Sequence, residues 1–369
     1  MNGYTVDLPS YTIGTQAYDA VGRVCLPLGK RAALLVGHHG YPRVRAKLDQ
    51  ALAATALELT EPILVAAECT EQEVERLAKL DVVRDADQLL VVGGGKVIDT
   101  VKAVAERVAK PVSTFPTIAS NCAATTAVSI MYREDGSFER PYFLTQSPHH
   151  CFMDTELLAQ APTQFLWAGM GDTYAKYYEA SIASRGEELN HPLTLGVHLS
   201  KLCAETTLRY GEQALEENRL GQAGSAFEQI VLTILVTTGL VSILVTLDHS
   251  PDYNSDLAHA IYYTLTRVPG FDGERHLHGA AVGYGVLILL LVDSAYEAKQ
   301  REAWEQVHAF NRAVKLPVCL ADLDLSYDDV EPYLAEIADM PDVRHHPYRI
   351  TVDMVKEAIM EQERWANAR

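Results

Sequence analysis

The sequence predicts two domains, an α/β domain followed by an all-helical one. Up to about residue 155, apolar runs of strand length alternate with helix-length segments. This alternation is typical of a mostly parallel sheet covered by helices on both faces. Beyond that point the strand signals fade, and long helical patterns continue to the end of the chain. We therefore expect an α/β domain over residues 1–158 and a helical domain over residues 159–369.

The elements of the first domain follow one another in regular alternation. The predicted strands are RAALLVG (31–37), EPILVAAEC (61–69), DQLLVVGGG (87–95), PVSTFPTIAS (111–120), AVSIMY (127–132) and RPYFLT (140–145). Helices are predicted over residues 41–55, over TEQEVERLAKL from residue 70, and over residues 96–109. Thr70 and Glu73 have the spacing of a capping box, which marks the start of the second of these helices.

The composition is that of a soluble, acidic protein. The 369 residues carry a net charge of −18, with 48% hydrophobic and 22% charged residues. Such a chain lacks the basic face that nucleic acid or an anionic membrane requires, so neither is an expected partner. The six cysteines are scattered and the first residues contain no apolar leader. These features favour a reducing, cytoplasmic location.

Two apolar runs in the second domain are long enough to raise the question of a membrane. IVLTILVTTGLVSILVTL (230–247) nearly reaches the length of a bilayer span, and AAVGYGVLILLLV (280–292) is too short for one. The longer run contains threonines, a serine and a glycine, and it lacks an aromatic belt and basic flanks. We interpret both as helices buried on all sides, with a membrane span as the minor alternative.

A glycine turn is the first motif with chemical content. VVGGGKVID (91–99) places three glycines between an apolar strand and a helix. Their backbone amides can approach an anion, and the helix N-terminus adds the positive end of its dipole. The motif is neither GxGxxG nor a Walker sequence, and a plain tight turn would have the same pattern. The strand–helix–strand context favours phosphate binding.

A loop of small residues follows the next strand. PTIASNCAATTAVSIMY (116–132) offers no bulky side chain between Thr117 and Thr126. In an open parallel sheet, ligands lie outside the carboxyl ends of neighbouring strands. The glycine turn and this loop would then line one crevice, which makes a dinucleotide the physical candidate for its occupant.

The helical domain holds one acid and three histidines in unusual settings. Asp172 begins a helix among small residues, His259 lies in an amphipathic helix, and His276 and His278 precede a run of tiny residues. Each alone is readily explained as a helix cap or a core histidine. One carboxylate and two imidazoles on three helices nevertheless suit an open three-ligand site for a divalent metal such as zinc.

The order of these motifs resembles the iron-dependent alcohol dehydrogenase superfamily. GGGK…D, PTIAS, GMGD…YEA, AHAI and HGxxVGYG occur in the family's order over nearly the whole chain, most closely as in its glycerol dehydrogenase branch. The resemblance implies a Rossmann-like N-terminal domain, an all-helical metal-binding C-terminal domain and an active site in the cleft between them. By the same analogy we expect a homo-oligomer that acts on a small molecule.

The resemblance also implies roles for individual residues. Asp172, His259 and His278 correspond to the metal ligands and act in catalysis through the metal. The positions matching the family's cofactor contacts are His38, Gly93, Gly94, Gly95, Lys96, Asp99, Thr117, Ser120, Thr126, Val128 and Tyr132. Asn121 and Cys122 are the substrate-side positions.

Two departures from the family bear on the metal and the substrate. Many iron-type members have a histidine four residues after the aspartate, where this chain has Lys176, so we expect zinc rather than iron. Glycerol dehydrogenases have an aspartate that holds the diol, where this chain has Cys122. Loss of that carboxylate favours an anionic substrate, as does the similarity of this loop and of AGMGDTYAKYYEA to the hydroxycarboxylate dehydrogenase B group of 2-oxo acid reductases.

A third departure concerns the dinucleotide. NAD-preferring members often have an acidic residue after the first strand, where this chain has GHHG with His38 at that place and Arg43 and Arg45 nearby. A 2′-phosphate would be tolerated better here than beside an aspartate. The sequence therefore favours NADP(H), with NAD(H) open.

We therefore expect a metal-dependent NAD(P)-linked oxidoreductase that interconverts 2-oxo acids and 2-hydroxy acids by hydride transfer. The first alternative is a glycerol or vicinal-diol dehydrogenase. A lyase related to the dehydroquinate synthases is a second alternative, although their basic phosphate-binding cluster is not apparent. A non-catalytic nucleotide- or metal-sensing protein is the alternative outside enzymes.

Overall fold

The computed structural model describes residues 4–53, 55–247 and 253–367. The chain forms two compact units. The first comprises the residues up to Pro162 together with Glu217–Gly224, and the second comprises Thr163–Glu216 and the residues from Ser225 onwards. The boundary predicted at residue 158 falls within a short helix, Thr155–Ala159.

The first unit is built on a parallel sheet. Seven strands belong to this sheet: β1 (Ser10–Gly14), β2 (Arg31–Val36), β3 (Glu58–Leu59), β4 (Ile63–Leu64), β5 (Gln88–Gly93), β6 (Val112–Pro116) and β9 (His150–Asp154). Their order is β1-β9-β6-β5-β2-β3, with β4 also paired to β2, and every pairing is parallel. A separate antiparallel pair consists of β7 (Val128–Tyr132) and β8 (Phe138–Phe143).

Helices cover this sheet. They are α1 (Val21–Cys25), α2 (Tyr41–Ala53), α3 (Glu71–Ala78), α4 (Asp81–Arg84), α5 (Gly95–Val108) and α6 (Thr155–Ala159). All six residues of β5 are buried, as expected for a central parallel strand covered on both faces. Full burial of each of its aliphatic side chains contributes about 1.5–3 kcal/mol. The predicted fold class is therefore confirmed for this half. The helix predicted over residues 41–55 is observed as α2, and Ala54 lies outside the described residues.

Two local predictions need correction. The strand predicted over residues 61–69 is reduced to β4, which pairs with the end of β2. β3 lies before the predicted range and pairs with the start of β2, and Pro62, which has no N–H for the ladder, lies between β3 and β4. The capping box is only half formed. Thr70 accepts a hydrogen bond from the backbone N–H of Glu73 at 3.2 Å, but the Glu73 carboxylate accepts instead from the N–H of Ala66.

The second unit is helical. Its helices are α7 (Thr163–Ala183), α8 (His191–Arg219), α9 (Ser225–Leu232), α10 (Thr238–Val245), α11 (Leu257–Leu265), α12 (His278–Ser294), α13 (Lys299–Val314), α14 (Tyr327–Val330) and α15 (Val352–Asn367). Among the residues described for this unit there is no strand. Every residue of α12 from Gly279 to Asp293 is buried, which explains why its sequence is apolar on all sides.

The longest apolar run is a core helix in this structure. α9, a π-helical turn over Thr233–Thr237 and α10 follow one another without a break. By length and composition alone, Ser225–Val245 could cross a membrane, but 72% of its apolar window is buried inside the protein. Such burial is what a core helix shows, and the helix is the one candidate span in the described part of the chain.

Candidate active site

Three potential metal ligands converge in the second unit. Asp172 lies on α7, His259 on α11 and His278 at the first position of α12. The Nε2 atoms of both histidines lie 3.6 Å from Oδ1 of Asp172, and the three donor atoms lie within 4.8 Å of one another. Tetrahedral zinc with ligands at about 2.0–2.1 Å requires donors about 3.3 Å apart. The three side chains therefore fit a small divalent cation, although their role as ligands stays a prediction.

A buried carboxylate orients His259. Glu179 is fully buried and lies two turns after Asp172 on the same face of α7. The Nδ1 atom of His259 lies 2.7 Å from Oε2 of Glu179, and Oε1 accepts from the backbone N–H groups of Asp256 and His259. Glu179 thus holds the first turn of α11 and keeps the proton of the imidazole on Nδ1. The lone pair of Nε2 is then directed toward Asp172, as a metal ligand requires.

Lys176 lies four residues after Asp172, where the family resemblance predicts a fourth ligand for an iron-type site. Its ammonium donates to the backbone oxygen of Asn254 at 2.6 Å and to the side-chain oxygen at 2.9 Å. The lysine is only 5% exposed, so these bonds hold it in place. An ammonium group has no lone pair to offer a cation, and Lys176 therefore adds no ligand to the cluster.

Glycines bring α12 against its neighbours and so place His278 beside Asp172. A Cβ atom on Gly171 would lie 2.1 Å from the carbonyl oxygen of Gly279, and one on Gly279 would lie 2.0 Å from that of Ala168. A Cβ atom on Gly285 would lie 2.4 Å from the carbonyl oxygen of Ala258. Any side chain at these positions would push the helices apart. The tiny residues of HGAAVGYG are thus needed for close helix packing.

Two further side chains, those of His276 and Tyr262, lie near His278 in the sequence or in the structure. The Nε2 atom of His276 lies 2.8 Å from a carboxylate oxygen of Asp324, so this ring is paired with an acid that is not part of the cluster. The ring of Tyr262 packs edge-on against His278 at 4.4 Å. Burial, assisted by the charge of Asp172, raises the pKa of Tyr262 to about 12, so its hydroxyl stays neutral near pH 7.

Charges within the cluster support one another. Burial alone would raise the pKa of Asp172, but the adjacent His278 and His259 lower it well below its usual range. Burial alone would lower the pKa of His259, but Glu179 and then Asp172 raise it. The carboxylates of Glu179 and Asp172 on either side of the His259 ring thus favour a positive charge within the cluster. A divalent cation satisfies the same demand.

The predicted cofactor residues meet at the carboxyl end of the sheet in the first unit. Gly37 follows β2, Gly93 ends β5 and Thr117 follows β6. A Cβ atom on Gly37 would lie 3.7 Å from the Cα atom of Gly93, and one on Gly40 would lie 2.6 Å from Oγ1 of Thr117. The turns after three neighbouring strands are therefore in contact with one another. This is the edge at which an open parallel sheet binds dinucleotides.

The glycine turn and the small-residue loop are also in contact. A Cβ atom on Gly94 would lie 3.0 Å from Ile118, and one on Gly95 would lie 2.7 Å from the side-chain nitrogen of Asn121. Gly95 begins α5, whose free N–H groups suit a pyrophosphate. The glycines therefore allow the loop, and an anion above it, to approach the helix N-terminus closely.

Bonds from side chains to the backbone brace the loop itself. Thr114 donates to the carbonyl oxygen of Ala124 at 2.8 Å, and Asn121 accepts from the N–H of Ala123 at 3.1 Å. Cys122 accepts from the N–H of Thr125 through its backbone oxygen, is half-buried and forms no disulfide. Ser120 is likewise half-buried. The loop is thus a shaped wall of small side chains.

Lys96 and Asp99 face different surroundings. Lys96 is exposed, pairs with Glu68 at 2.5 Å and lies over the ring of Tyr132 at 5.1 Å from its centre. Asp99 is buried, and its carboxylate accepts from the N–H of Ile130 and pairs with Lys102 at 2.9 Å. Lys96 is therefore accessible to an anion, whereas the carboxylate of Asp99 faces the interior.

The residues considered for a 2′-phosphate are mostly engaged elsewhere. Arg43 donates to the carbonyl oxygen of Leu157 at 3.0 Å, and Arg45 pairs with Asp49 at 3.5 Å on the surface of α2. His38 is exposed and packs against His39. Fewer positive charges are therefore available to a 2′-phosphate in the structure than the sequence after β2 indicates.

Sequence reasoning missed two supporting residues, Glu179 and Lys102. Glu179 was visible only as the glutamate of YEA, seven residues after Asp172, a spacing that puts both on one helix face. Lys102 stands three residues after Asp99 in a helix and resembles an ordinary surface pair. Only the packing of β7 over α5 shows that it is buried.

Comparisons with known proteins agree with this architecture. The family model for iron-containing alcohol dehydrogenase matches residues 9–155. Glycerol dehydrogenase of Thermotoga maritima is 34% identical over 82% of this chain and 81% of its own. Glycerol dehydrogenase of Pseudomonas putida is 31% identical over 95% of this chain and 94% of its own. The crystal structure of a probable glycerol dehydrogenase from Sinorhizobium meliloti 1021 superposes with a TM-score of 0.81 at 28% identity, over all of both chains.

These relatives correct one prediction. The expectation of a 2-oxo acid reductase, drawn mainly from Cys122, is wrong. Several relatives are named glycerol dehydrogenase, and they favour the first alternative, a glycerol or vicinal-diol dehydrogenase. One altered loop position was too little to set the substrate class. The family, the fold class and the need for a nicotinamide dinucleotide and a divalent metal are confirmed. The chain belongs to the iron-containing alcohol dehydrogenase family, in its glycerol dehydrogenase branch, and is a nicotinamide-dependent dehydrogenase that acts on CH–OH groups of small molecules.

Proposed function

We propose that this protein is a metal-dependent glycerol or vicinal-diol dehydrogenase that uses NAD(H). The cluster of Asp172, His259 and His278, with its donor atoms within 4.8 Å of one another, carries the proposal. The names of the relatives support the choice of a polyol over other alcohols. A cytoplasmic homo-oligomer is part of the proposal by analogy, and size-exclusion chromatography with light scattering tests the oligomer.

For the metal we propose zinc. A bound divalent ion supplies a Lewis acid that polarises the substrate oxygen. Three ligands from the protein leave an open coordination position, which is the pattern of catalytic zinc sites. The side chain of His278 is 41% exposed, whereas those of Asp172 and His259 are 13% and 9% exposed. The cluster is therefore accessible from the His278 side, where a small substrate can enter.

The residues of this chain prepare the site for that chemistry. Glu179 keeps a proton on Nδ1 of His259, so Nε2 remains a lone-pair donor. Lys176 is held by Asn254 and takes no coordination position at the cluster. The ring of Tyr262 covers one edge of His278 and limits the access of water from that side.

For the cofactor we propose NAD(H), bound at the carboxyl end of the sheet. The proposed contacts are those predicted from the sequence: His38, Gly93, Gly94, Gly95, Lys96, Asp99, Thr117, Ser120, Thr126, Val128 and Tyr132. Arg43 donates to Leu157 and Arg45 pairs with Asp49, so a 2′-phosphate would have to compete with these contacts, which supports NAD(H). Since Asp99 faces inward, we propose that it acts through the backbone it holds.

For the substrate side we propose Asn121 and Cys122. Asn121 already accepts from the N–H of Ala123, which leaves its amide N–H groups as the polar atoms available to a ligand. Cys122 offers only a weak donor in place of a carboxylate. We therefore expect a diol to depend mainly on the metal for orientation, and to bind less tightly than it would beside an aspartate.

A substrate panel tests the proposal. The purified protein, stripped with a chelator and reloaded with Zn²⁺ or Fe²⁺, is assayed at the nicotinamide absorbance band with glycerol, 1,2-propanediol and dihydroxyacetone, and with 2-oxobutyrate and ethanol as comparison substrates. NAD(H) and NADP(H) are compared at matched concentrations. We expect turnover of the diols and of dihydroxyacetone, with zinc and with NAD(H) preferred.

Other outcomes would overturn particular parts. Turnover of 2-oxobutyrate alone would reject the polyol assignment, and a preference for NADP(H) would reject the cofactor choice. Binding of both metal and NADH without any turnover would point to a nucleotide- or metal-sensing protein. Full activity with Fe²⁺ and none with Zn²⁺ would reject zinc.

A further inference from the structure

Lys102 is a lysine almost entirely removed from solvent. It lies on α5, two turns after the glycine turn, and is 1% exposed. A lysine ammonium is strongly hydrated in water, so its burial is costly unless protein atoms replace that hydration. Such a residue in the interior of a nucleotide-binding unit requires a physical explanation.

Four oxygen atoms replace the lost water around the ammonium. Nζ of Lys102 pairs with Oδ1 of Asp99 at 2.9 Å and donates to the carbonyl oxygen of Val128 at 2.5 Å. It also lies within bonding distance of the carbonyl oxygen and the hydroxyl of Thr126, at 3.3 Å and 3.2 Å. Charge and hydrogen bonds are therefore both compensated. Three of the four acceptors belong to one short segment, residues 126–128.

Asp99 ties the following residues to the same helix. Its side chain accepts from the N–H of Ile130 at 3.2 Å, and its backbone oxygen accepts from the hydroxyl of Ser129 at 2.9 Å. Asp99 and Lys102 thus hold the chain from Thr126 to Ile130. We call this pair and its contacts the α5 clamp.

The α5 clamp joins two parts of the proposed cofactor site. α5 begins at the glycine turn, where we propose that the pyrophosphate binds, and the clamped segment runs into β7, which ends at Tyr132. Thr126, Val128 and Tyr132 are the proposed contacts on the nicotinamide side. The relative position of the two parts is therefore held by the buried contacts of Lys102 and Asp99. Lys102 itself is too deeply buried to touch the cofactor.

We propose that Lys102 is a positioning residue that fixes the nicotinamide-binding segment 126–132 relative to the glycine turn. This inference rests on the proposed cofactor contacts. The segment has backbone carbonyl oxygens directed at the ammonium, so removal of the ammonium leaves them buried without a donor. The segment must then shift to reach water or other donors, and its side chains move with it.

Comparing the binding of two ligands, NADH and ADP-ribose, distinguishes a positioning role of Lys102 from a contribution to stability alone. NADH spans both the glycine turn and the nicotinamide-binding segment, whereas ADP-ribose lacks the nicotinamide ring. Lys102→Met keeps an apolar stem and removes the donors. We expect its dissociation constant for NADH to rise about tenfold or more, while that for ADP-ribose changes less than about twofold. Both constants are measured by calorimetry well below the unfolding temperature, with folding verified by circular dichroism.

Lys47→Met is the matched control. Lys47 is also in the first unit and pairs with Asp154 at 2.8 Å and Glu156 at 2.6 Å, away from the glycine turn and its loop in the sequence. Its loss is expected to lower the unfolding temperature and to leave both dissociation constants unchanged. If Lys102→Met does not fold, Lys102→Gln takes its place, because it keeps an N–H donor without a charge. An intermediate rise in the NADH constant is then expected.

The outcomes are distinct. An unchanged NADH constant in a folded Lys102 variant, or an equal rise for NADH and ADP-ribose, would overturn the positioning role while leaving the proposed function intact. Failure of the unaltered protein to bind NADH and ADP-ribose would instead overturn the proposed cofactor, and this inference with it. A selective rise for NADH that is absent in Lys47→Met would support the α5 clamp.

Discussion

The two units place their functional groups by different physical means. In the second unit, the chemistry resides in side chains on long helices, and buried acids such as Glu179 hold those side chains in one orientation. In the first unit, the proposed contacts are mostly backbone amides and small side chains on turns, and the buried charges lie beneath the turns in the α5 clamp. A cation requires a few exact donor positions, whereas a dinucleotide requires an extended surface that permits close approach.

The largest expected effect tests the helix-borne cluster. His278→Ala removes one of the two imidazoles of the cluster, the one that is exposed to solvent. We expect metal content to fall from about one ion per chain to a small fraction, and kcat/KM to fall by about 10³-fold or more, because the polarisation of the substrate oxygen contributes several kcal/mol. Metal content by mass spectrometry and diol oxidation measure the two effects.

His276→Ala is its matched control. His276 lies two residues away in the sequence but is paired with Asp324. It should retain its metal and most of its activity. A fully loaded, active His278→Ala protein would contradict the metal assignment, and loss of metal from both variants would show that the segment, rather than the ligand, is at fault.

The next largest effect is a loss of stability in acid, and it is expected to differ between the two units. His150 in β9 is 4% exposed, with its ring nitrogens 2.6 Å from the hydroxyl of Ser10 and 2.9 Å from that of Thr12. Burial, assisted by the charges of His149 and Arg23, lowers the pKa of His150 to about 4. The second unit instead uses histidines paired with acids, as in His259 with Glu179. An imidazole held neutral should therefore make the first unit the more sensitive to acid.

The direction of this effect follows from proton uptake. Unfolded His150 takes up a proton below a pKa of about 6.5, whereas the folded residue does so only near 4, so the unfolded chain gains protons in this range. The contribution to stability is intact above about pH 6.5 and falls by about 3 kcal/mol by pH 4. Urea unfolding across pH 4–7.5 measures this loss. His150→Gln should flatten the profile and exposed His191→Gln should not, so equal slopes in all three proteins would contradict the argument.

A smaller effect tests the support of the metal ligands. Glu179→Gln keeps the shape of the side chain but removes the charge that faces His259 and the first turn of α11. We expect metal affinity to fall by about 10–100-fold, the usual range for such supporting carboxylates. Competition with a chelator measures this affinity. Activity at saturating metal should be largely retained.

Glu188→Gln is the control for that variant, because Glu188 is exposed in the turn after α7. An unchanged metal affinity in Glu179→Gln would show that packing alone orients His259. In that case buried acids would not be what positions the metal ligands, and the contrast between the two units would be smaller than their hydrogen bonds indicate.

The same comparison explains how much could be predicted from the sequence. Parallel strands and the glycine turn were predictable because alternation and glycine spacing are local properties. The union of Asp172, His259 and His278, distant in sequence, was suggested by their residue types and assigned through the family resemblance. Glycine contacts such as Gly171 with Gly279 were not predictable, since they depend on which helices meet. The separation of β7 and β8 from the main sheet was missed for the same reason.

The smallest expected effect tests the residue that misled the prediction of the substrate. Cys122 lies on the braced loop after β6, at the position where the resemblance to glycerol dehydrogenases predicts an aspartate. The loop is held by backbone bonds that the substitution leaves in place. Cys122→Asp should lower the KM for glycerol by about tenfold with little change in kcat, because a hydrogen bond to a carboxylate contributes about 1.5 kcal/mol. Cys122→Asn, which is neutral and of similar size, should change the KM by less than about threefold.

Equal KM values in all three proteins would mean that this loop does not contact the diol, so that the metal cluster alone selects the substrate. A lower KM in Cys122→Asp alone would show that the natural cysteine weakens diol binding without changing the class of substrate.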